Sequence, residues 1–445
     1  MVAVVPRPLL PPGPHLVVGL ARSGVAAALA LRARGEEVRG SDAGRVPDEE
    51  ARRLVAAGVT FAAPDDGLAL LPGVATVIKS PGVPASAPVI RAARAAGIPV
   101  MGELEVAWRL LPQPFLAVTG SNGKTTSVEL LGAMHRAAGV PVVVAGNVGT
   151  ALSSLVGTLA PDATVVCEAS SFQLEDSVSF APEIAVLLNV TSDHLDRHGT
   201  LAAYRAAKLR LFAAQPESGV AVLPEVFPDR VGGAARRVTF GAGPAADLGE
   251  RDGRLWWRGA ELMPVPEIRL PGRHNVENAM ASAAAALSAG LPPQAVVAAL
   301  RDFAGVEHRL EAVARVAGVA YVNDSKATNV ASAAVGISSY PAGVHAILGG
   351  RGKGEDYAPL SDPVARSCRA VYLIGETAGE IGAALARTGV PVHDCGDLER
   401  ALAAARAAAR SGDVVLLSPA CASFDQYGSY EQRGAHFRAL VSSIH

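Results

Sequence analysis

Short runs of valine, isoleucine and leucine alternate with longer alanine- and leucine-rich stretches along nearly the whole chain. The short runs, bounded by glycine or polar residues, predict strands, and the longer stretches predict helices. Strand–helix alternation of this kind predicts an α/β fold with largely parallel sheets. Two seams interrupt it. Leu111-Pro112-Gln113-Pro114 breaks a helical segment over 102–110, just ahead of an apolar strand over 115–118. The second lies at Gly305-Val306-Glu307-His308-Arg309, between a helix over 293–303 and a strand over 319–322. The alternation then resumes, with strands over 345–349, 370–374 and 413–417 and helices over 377–388, 398–410 and 430–440. The segment 220–266 is poor in helix signals, and Arg254-Leu-Trp-Trp-Arg-Gly259 reads as a hairpin whose tryptophans pack or face solvent. The seams predict three domains, over 1–111, 112–305 and 306–445.

Composition narrows the class. Half the residues are hydrophobic but only 4% are aromatic, so the cores must be aliphatic. A net charge of −2 excludes a nucleic-acid binder held by bulk charge. Mean hydropathy of +0.27 is high for a chain without membrane spans. The apolar runs, however, are alanine-rich and broken, as over 279–300 with Pro292-Pro293 inside, so no span is expected. Prolines at 6, 8, 11, 12 and 14 argue against a secretory signal. Cys167, Cys368, Cys395 and Cys421 show no metal or disulfide spacing, which fits a reducing cytoplasm. Of 40 basic residues only five are lysine: Lys79, Lys124, Lys208, Lys326 and Lys353. In a chain that writes its surface cations as arginine, each lysine is either a chance survivor or a candidate site, where a compact ammonium or a neutral amine has work that a guanidinium cannot perform.

The first domain opens with His15-Leu-Val-Val-Gly-Leu-Ala-Arg-Ser-Gly24, a strand running into a helix over 25–34. Gly19, Ala21 and Gly24 keep the spacing of G-x-G-x-x-G with alanine in the middle, and Asp42 ends the next strand, close to the offset of about 20 residues expected for a ribose-binding acid. Three readings stay open here: a plain βαβ turn that needs small residues, an NAD site, or a cradle for another nucleotide. A second loop, Lys79-Ser80-Pro81-Gly82-Val83-Pro84, falls at the same sheet edge.

The strongest motif is Phe115-Leu-Ala-Val-Thr-Gly-Ser-Asn-Gly-Lys-Thr-Thr126. An apolar strand enters a glycine loop ending in Gly-Lys-Thr, and a helix over 127–138 leaves it. That is the context of a phosphate-cradling P-loop, with Lys124 toward the β- and γ-phosphates and the Thr125 hydroxyl on Mg²⁺. The first glycine is Gly120, two positions later than in the usual motif, where Val118 stands instead. A strand over 163–166 leads to Glu168, a candidate metal carboxylate. Another, over 184–188, leads to Asn189-Val-Thr-Ser-Asp-His-Leu-Asp-Arg-His-Gly199. His194 and His198 stand four apart and would clamp zinc if helical, but the glutamate of H-E-x-x-H is missing.

Taken together, Thr119–Thr126, Glu168-Ala-Ser-Ser-Phe-Gln-Leu174, Asn189–Asp196, Tyr204-Arg-Ala-Ala-Lys208 and Asn323-Asp-Ser-Lys-Ala-Thr-Asn329 closely resemble the Mur ligases. These are ATP-dependent amide-forming enzymes of peptidoglycan precursor synthesis, and so of cell-wall biogenesis, cell shape and division. The resemblance covers essentially the whole chain. It implies a Rossmann-like N-terminal domain that binds a UDP-substrate, a central P-loop ATPase-like domain with a mostly parallel sheet, and a Rossmann-like C-terminal domain that binds an amino acid. Leu417-Ser-Pro-Ala-Cys-Ala-Ser-Phe-Asp-Gln-Tyr427 and Glu431-Gln-Arg-Gly434 are similar to the signature of the members that add D-glutamate. The Asp-Asn-Pro-Arg motif of diaminopimelate-adding members is absent. Phe424 and Tyr430 stand where the usual pattern has leucine and phenylalanine, which bears on the shape of the amino-acid pocket.

The resemblance assigns roles residue by residue. Gly19, Leu20, Ala21, Arg22, Ser23, Gly24, Asp42, Ser80, Pro81, Gly82 and Asn147 would bind the UDP-N-acetylmuramoyl-L-alanine substrate, displacing the NAD reading. Gly120, Ser121, Asn122, Gly123, Lys124, Thr125 and Thr126 would cradle ATP. Asn275 and Asn278 would reach its base, and Arg309 and Asp324 would close over it. Two Mg²⁺ are implied. Thr125 and Glu168 would hold one; His194 would hold the other together with Lys208 carried as a CO₂-derived carbamate. Lys326, Thr328, Lys353, Ser423, Phe424 and Tyr430 would surround D-glutamate. Lys124, Glu168, His194, Lys208, Arg309 and Lys326 form the implied catalytic set. Three other classes stay in view: a sister ligase with a different amino acid, such as a folylpolyglutamate synthetase; a non-catalytic nucleotide-binding scaffold, which would need Lys124 or Glu168 to be missing; and an NAD oxidoreductase. No nucleic-acid partner is expected, and a monomer is favoured.

Overall fold

A computed structural model describes residues 4–191, 195–227, 230–243, 245–352 and 354–444, the side chains of Leu195 and Asp196 apart. Two of the expected site residues, His194 and Lys353, lie outside the described residues. The chain divides into two compact units, one of residues 1–269 with 276–303, the other of 270–275 with 304–445.

The first unit holds two sheets. Five strands, β1 (His15–Val18), β2 (Val38–Ser41), β3 (Thr60–Ala62), β4 (Thr76–Lys79) and β5 (Val100–Gly102), form a parallel sheet in the order β3-β2-β1-β4-β5. That order turns back between β1 and β4, which opens a crevice at their carboxyl ends. The second sheet has nine strands: β6 (Phe115–Thr119), β7 (Val142–Gly146), β8 (Thr164–Glu168), β9 (Ile184–Leu187), β10 (Val220–Pro224), β11 (Arg236–Gly241), β12 (Leu248–Arg251), β13 (Arg254–Trp257) and β14 (Ala260–Pro264). Their order is β14-β13-β12-β11-β10-β9-β6-β8-β7. The strands β7 to β12 with β6 pair in parallel, and β12-β13-β14 close the edge as antiparallel hairpins. The helix-poor segment 220–266 thus extends the sheet. Its expected hairpin is β13–β14, turning at Arg258-Gly259 with half-buried Trp256 and Trp257.

The hydropathy that resembled a membrane span also finds its explanation here. Residues 273–302 form two helices, Arg273–Ser288 and Pro293–Asp302. Ala279, Ala281 and Ala283 to Ala286 are fully buried, so the first is apolar around its circumference because it is interior to the protein. Among the described residues no helix is long and apolar enough to cross a membrane. The core beneath the central sheet is aliphatic, as the composition requires, with Trp108, Phe115 and Phe180 meeting edge to face at its rim.

The second unit contains β15 (Glu311–Val316), β16 (Val319–Asn323), β17 (Val344–Gly349), β18 (Cys368–Ile374), β19 (Val392–Gly396) and β20 (Val414–Leu417), in the order β15-β16-β20-β17-β18-β19. All pairs are parallel except β15–β16. Helices fall close to expectation, at Ala378–Leu385, Leu398–Ala408 and Tyr430–Ser442.

Candidate active site

Strand β6 lies between β9 and β8, so the loop it feeds, Gly120–Gly123, opens at the carboxyl edge with neighbours on both sides. Asparagine and hydroxyl groups fix the loop's shape. The Asn122 amide donates to Asn189 Oδ1 (2.9 Å) and Asn189 Nδ2 returns a bond to Asn122 O (3.1 Å). Ser121 Oγ bonds the Thr191 carbonyl and amide (3.0 Å each) and the Tyr204 hydroxyl (3.1 Å). Gly123 is left-handed (φ +86°), and any Cβ there would run into the Asn278 amide. The helix Lys124–Ala137 starts three residues earlier than expected, which places Lys124 and Thr125 in its first turn. That turn carries no acidic residue, which leaves the positive end of the helix dipole to an anion. Lys124 Nζ donates to Gly120 O (2.7 Å) and Ser121 O (2.9 Å), so the ammonium stands directly over the loop.

Glu168 ends β8 in register with Val118, buried to 2% exposure. Both its oxygens are held: Thr125 Oγ1 donates to Oε2 (2.8 Å) and Asn147 Nδ2 to Oε1 (2.9 Å). A hydroxyl and a carboxylate in contact form an oxygen donor set suited to a hard divalent cation, so these residues fit Mg²⁺. Asn147, expected at the UDP-substrate, lies beside Glu168. Lys208, on the helix Leu201–Ala213, is 1% exposed. Its Nζ reaches Gly120 O (2.8 Å) and stands 4.4 Å from the centre of the Tyr204 ring. Two lysine amines therefore converge on one carbonyl of the loop. The zinc reading of His198 loses support, because both ring nitrogens are engaged, Nδ1 with Glu175 Oε1 (3.0 Å) and Nε2 with Ser171 Oγ (3.0 Å).

At the first sheet, the crevice beside β1 and β4 is a cavity of about 490 Å³ whose walls include Gly19, Asp42, Asp65, Gly82, Val83 and Pro84. The helix Arg22–Ala33 begins there, also without an acid in its first turn. Gly24 packs so closely that a Cβ would overlap Gly19 O, which is why the turn needs glycine at that position. Ser23 and Ser80 hydroxyls approach to 3.3 Å across the crevice. Ala21 and Arg22 are exposed and Pro81 is half-buried, whereas the Leu20 side chain lies in the core. Asp42, read from the sequence as a ribose-binding acid, accepts the Leu20 amide (2.6 Å) and the Gly44 amide (2.7 Å) and so clasps the turn itself.

In the second unit, β16 and β20 are adjacent, so Asp324 and Ser418 follow them side by side. Asp324 accepts bonds from Ser418 Oγ (2.7 Å) and the Leu310 amide (3.2 Å). Burial raises its pKa to about 6, opposed by the nearby Arg309 guanidinium and these hydrogen bonds. Lys326 and Thr328 follow on the same loop, whose Lys326 amide bonds His308 O (2.9 Å). Ser423 Oγ is buried with no hydrogen-bond partner among the described residues, while Phe424 is exposed. Asn275 Nδ2 bonds Pro271 O (2.7 Å).

Arg433 is a residue whose role the sequence reading did not assign. Fully buried, it donates to Ser325 Oγ and O (3.0 and 2.9 Å), Cys421 O (3.1 Å) and Ala422 O (3.3 Å). It thereby ties the loop bearing Lys326 to the loop bearing Ser423 and Phe424. Burial lowers its pKa to about 10, so it remains a cation. The signal was available: an arginine at the start of the last helix, inside a recognised signature, where a surface helix has no need of one.

A strand, glycine loop and helix with lysine and threonine in the first turn, faced by a carboxylate on the next strand, define an enzyme acting on nucleotide phosphates. Comparison with known proteins gives the particular family. Residues 118–286 match the Mur ligase middle domain, and residues 308–421 match the glutamate ligase domain of the Mur ligases. The chain belongs to the Mur ligase family. It is 44% identical to the UDP-N-acetylmuramoylalanine--D-glutamate ligase of Acidobacterium capsulatum, over 96% of this chain and 95% of that one. The ligase of the same name from Anaeromyxobacter dehalogenans is also 44% identical, over 96% of each. Among solved structures, the fold is similar to a UDP-N-acetylmuramate-alanine ligase of Thermotoga maritima (TM-score 0.59, 19% identity, 97% of this chain and 100% of that one). It is also similar to the MurF ligase of Thermotoga maritima in complex with ADP (TM-score 0.59, 16% identity, 92% and 96%).

Proposed function

We propose that the chain joins D-glutamate to UDP-N-acetylmuramoyl-L-alanine at the expense of ATP, releasing ADP and phosphate. The relatives that span nearly its whole length are named for this ligation. The observation that carries it is the loop Gly120–Gly123 with Lys124 above it and the Thr125–Glu168–Asn147 cluster beside it.

The alanyl carboxylate of the acceptor attacks the γ-phosphorus of ATP; the new P–O bond forms as the β–γ bridge breaks and ADP leaves. The amine of D-glutamate then attacks the acyl carbon, loses a proton, and phosphate departs with the electron pair of the C–O bond. Lys124 and the first-turn N–H groups hold the phosphates and offset the charge that develops during transfer. Mg²⁺, when bound, neutralises phosphate oxygens and lines them up for transfer. Thr125 and Glu168 would hold one ion, and His194 with Lys208 the second.

Two ammonium groups sharing Gly120 O repel each other, whereas carbamylation turns Lys208 into an anionic oxygen ligand attracted to Lys124 and to metal. That supports the carbamate reading. Gly19–Gly24, with Ser80–Gly82, would receive the UDP moiety. Asn278 and Asn275 would meet the base of ATP, and Arg309 and Asp324 its phosphates. Lys326, Thr328, Lys353, Ser423, Phe424 and Tyr430 would form the D-glutamate site, where the Ser423 hydroxyl, without a hydrogen-bond partner among the described residues, offers a hydrogen bond. Substrates of this kind place the reaction in the cytoplasm.

The test is ADP release with the UDP-acceptor and ATP, comparing D-glutamate, L-glutamate and no amino acid. Release that depends on D-glutamate is expected. Equal release with L-glutamate, or release with another amino acid alone, would overturn the assignment.

A further inference from the structure

Lys79 has no part in the reaction as described, yet it is one of five lysines and its side chain is fully buried. It ends β4 and immediately precedes the loop Ser80–Pro84 that walls the nucleotide cavity. Its ammonium makes two bonds, to Asp176 Oδ2 (2.7 Å) and to Val83 O (2.7 Å). A second cation reaches the same carbonyl: Arg197 Nη2 donates to Val83 O (3.3 Å) and to Glu175 Oε2 (3.2 Å). Val83 O is thus gripped by two cations, each held by one of two consecutive carboxylates. Those carboxylates end the short segment that begins at Glu168, through the capped helix Ser171–Leu174. Arg197 in turn stands four residues before the helix that presents Lys208.

We infer that Lys79 and Arg197 are positioning residues that lock the acceptor-nucleotide loop to the two segments bearing the metal-site side chains, so that a seated nucleotide sets the geometry for phosphoryl transfer. The inference rests on the proposed ligation, since it takes the cavity at β1 and β4 as the nucleotide end of the acceptor. Its logic is that binding energy from a remote, unreactive part of a substrate is useful only if a rigid connection carries it to the reacting centre. A buried ion pair is a poor source of stability compared with apolar side chains of similar volume. The buried Lys79–Asp176 pair and the partly exposed Arg197–Glu175 pair meet on one carbonyl beside the cavity, which points to positioning. A lone structural pair would have no reason to include the loop.

The test uses the full chain with four variants: Lys79→Met, Arg197→Gln, the double Lys79→Met/Arg197→Gln, and Lys79→Met/Asp176→Leu. The last removes both charges of the first pair and keeps a folded protein in hand if Asp176, left with only Arg94 at 3.7 Å, proves too costly. Melting temperature, kcat, KM for the acceptor and KM for ATP are measured, with Kd for free UDP by calorimetry. Each single variant is expected to lower kcat about tenfold, with KM for ATP and Kd for UDP within about threefold of wild type. The double Lys79→Met/Arg197→Gln should lose less than the product of the singles, because both act through Val83 O. Unchanged kcat with only a lowered melting temperature would show a purely structural pair and overturn the inference. So would a loss confined to UDP affinity. If the wild type itself fails to turn over the UDP-acceptor with D-glutamate, the proposed ligation falls and takes this inference with it.

Discussion

Two loops of the first unit share one plan and do different work. Both follow the first strand of a parallel sheet, both enter a helix whose first turn lacks an acid, and both need glycine where a Cβ would collide. At Gly19–Gly24 the surroundings are backbone amides, serine hydroxyls and Asp42 clasping the turn. At Gly120–Gly123 side chains crowd in: Lys124, Thr125, Glu168, Asn147 and Lys208 all lie within one shell of bonds. A phosphate that is only held needs N–H donors and space. One that is transferred needs charge placed in advance where charge will develop. Under the proposed function, that difference assigns the reacting nucleotide to Gly120–Gly123 and the held one to Gly19–Gly24.

The comparison breaks first at Lys124. Lys124→Arg should reduce ligation by about a thousandfold or more, since a planar guanidinium cannot replace a point charge folded over the loop. Its melting temperature should stay near wild type; near-normal turnover in a steady-state assay would show that the central loop is no phosphate cradle. Next comes Lys208→Ala, expected to lose about a hundredfold, as for a residue that completes a metal site. Added acetate or formate should restore part of that activity by supplying an oxygen ligand, and Lys208→Arg should stay inactive; no rescue together with full activity of Lys208→Arg would remove the carbamate.

The two glycines sharpen the contrast directly. Gly24→Ala should raise KM for the acceptor about tenfold and leave KM for ATP alone, and Gly123→Ala should do the reverse. If both variants shifted both constants equally, the division of nucleotides between the loops would be wrong. A smaller effect, about five- to tenfold on KM for D-glutamate, is expected from Ser423→Ala if its hydroxyl bonds that substrate. Equilibrium binding of the UDP-acceptor should not move.

The smallest effect concerns stability. The pKa of Asp324 is raised from 3.8 to about 6, so its contribution is fully present below pH 3.8 and is lost as pH rises through 6. Asp324→Asn should therefore melt about 2–4 °C higher than wild type at pH 8, with the gap closing toward pH 4. A constant gap in calorimetric scans across that range would contradict the raised pKa.

Much of this was legible in the sequence because glycine loops and strand ends are local. Thr119–Thr126 requires a particular backbone whatever surrounds it, and Glu168 is found by following an apolar run to its end. What stayed hidden depends on partners far along the chain. Asn147 lies 21 residues from the carboxylate it holds, and the carbonyls that Arg433 bonds are as many as 108 residues away. Asp42 matched the expected offset for a sugar ligand, yet the same offset suits an acid that clasps its own turn. Spacing cannot separate those two. The edge hairpins of the second sheet were only half visible: the turn at Arg258-Gly259 is a local signal, but the pairing of β13 with β12 at the edge of the sheet is not.

The placement of Trp108, Trp256 and Trp257, the three tryptophans of the chain, has an experimental use. All fall within residues 1–269, and the second unit contains none. Intrinsic indole emission is therefore a reporter confined to one unit, silent toward unfolding or ligand binding that leaves that unit unchanged. Followed beside far-ultraviolet circular dichroism, which registers helices throughout, it would separate the melting of the two units without adding a label.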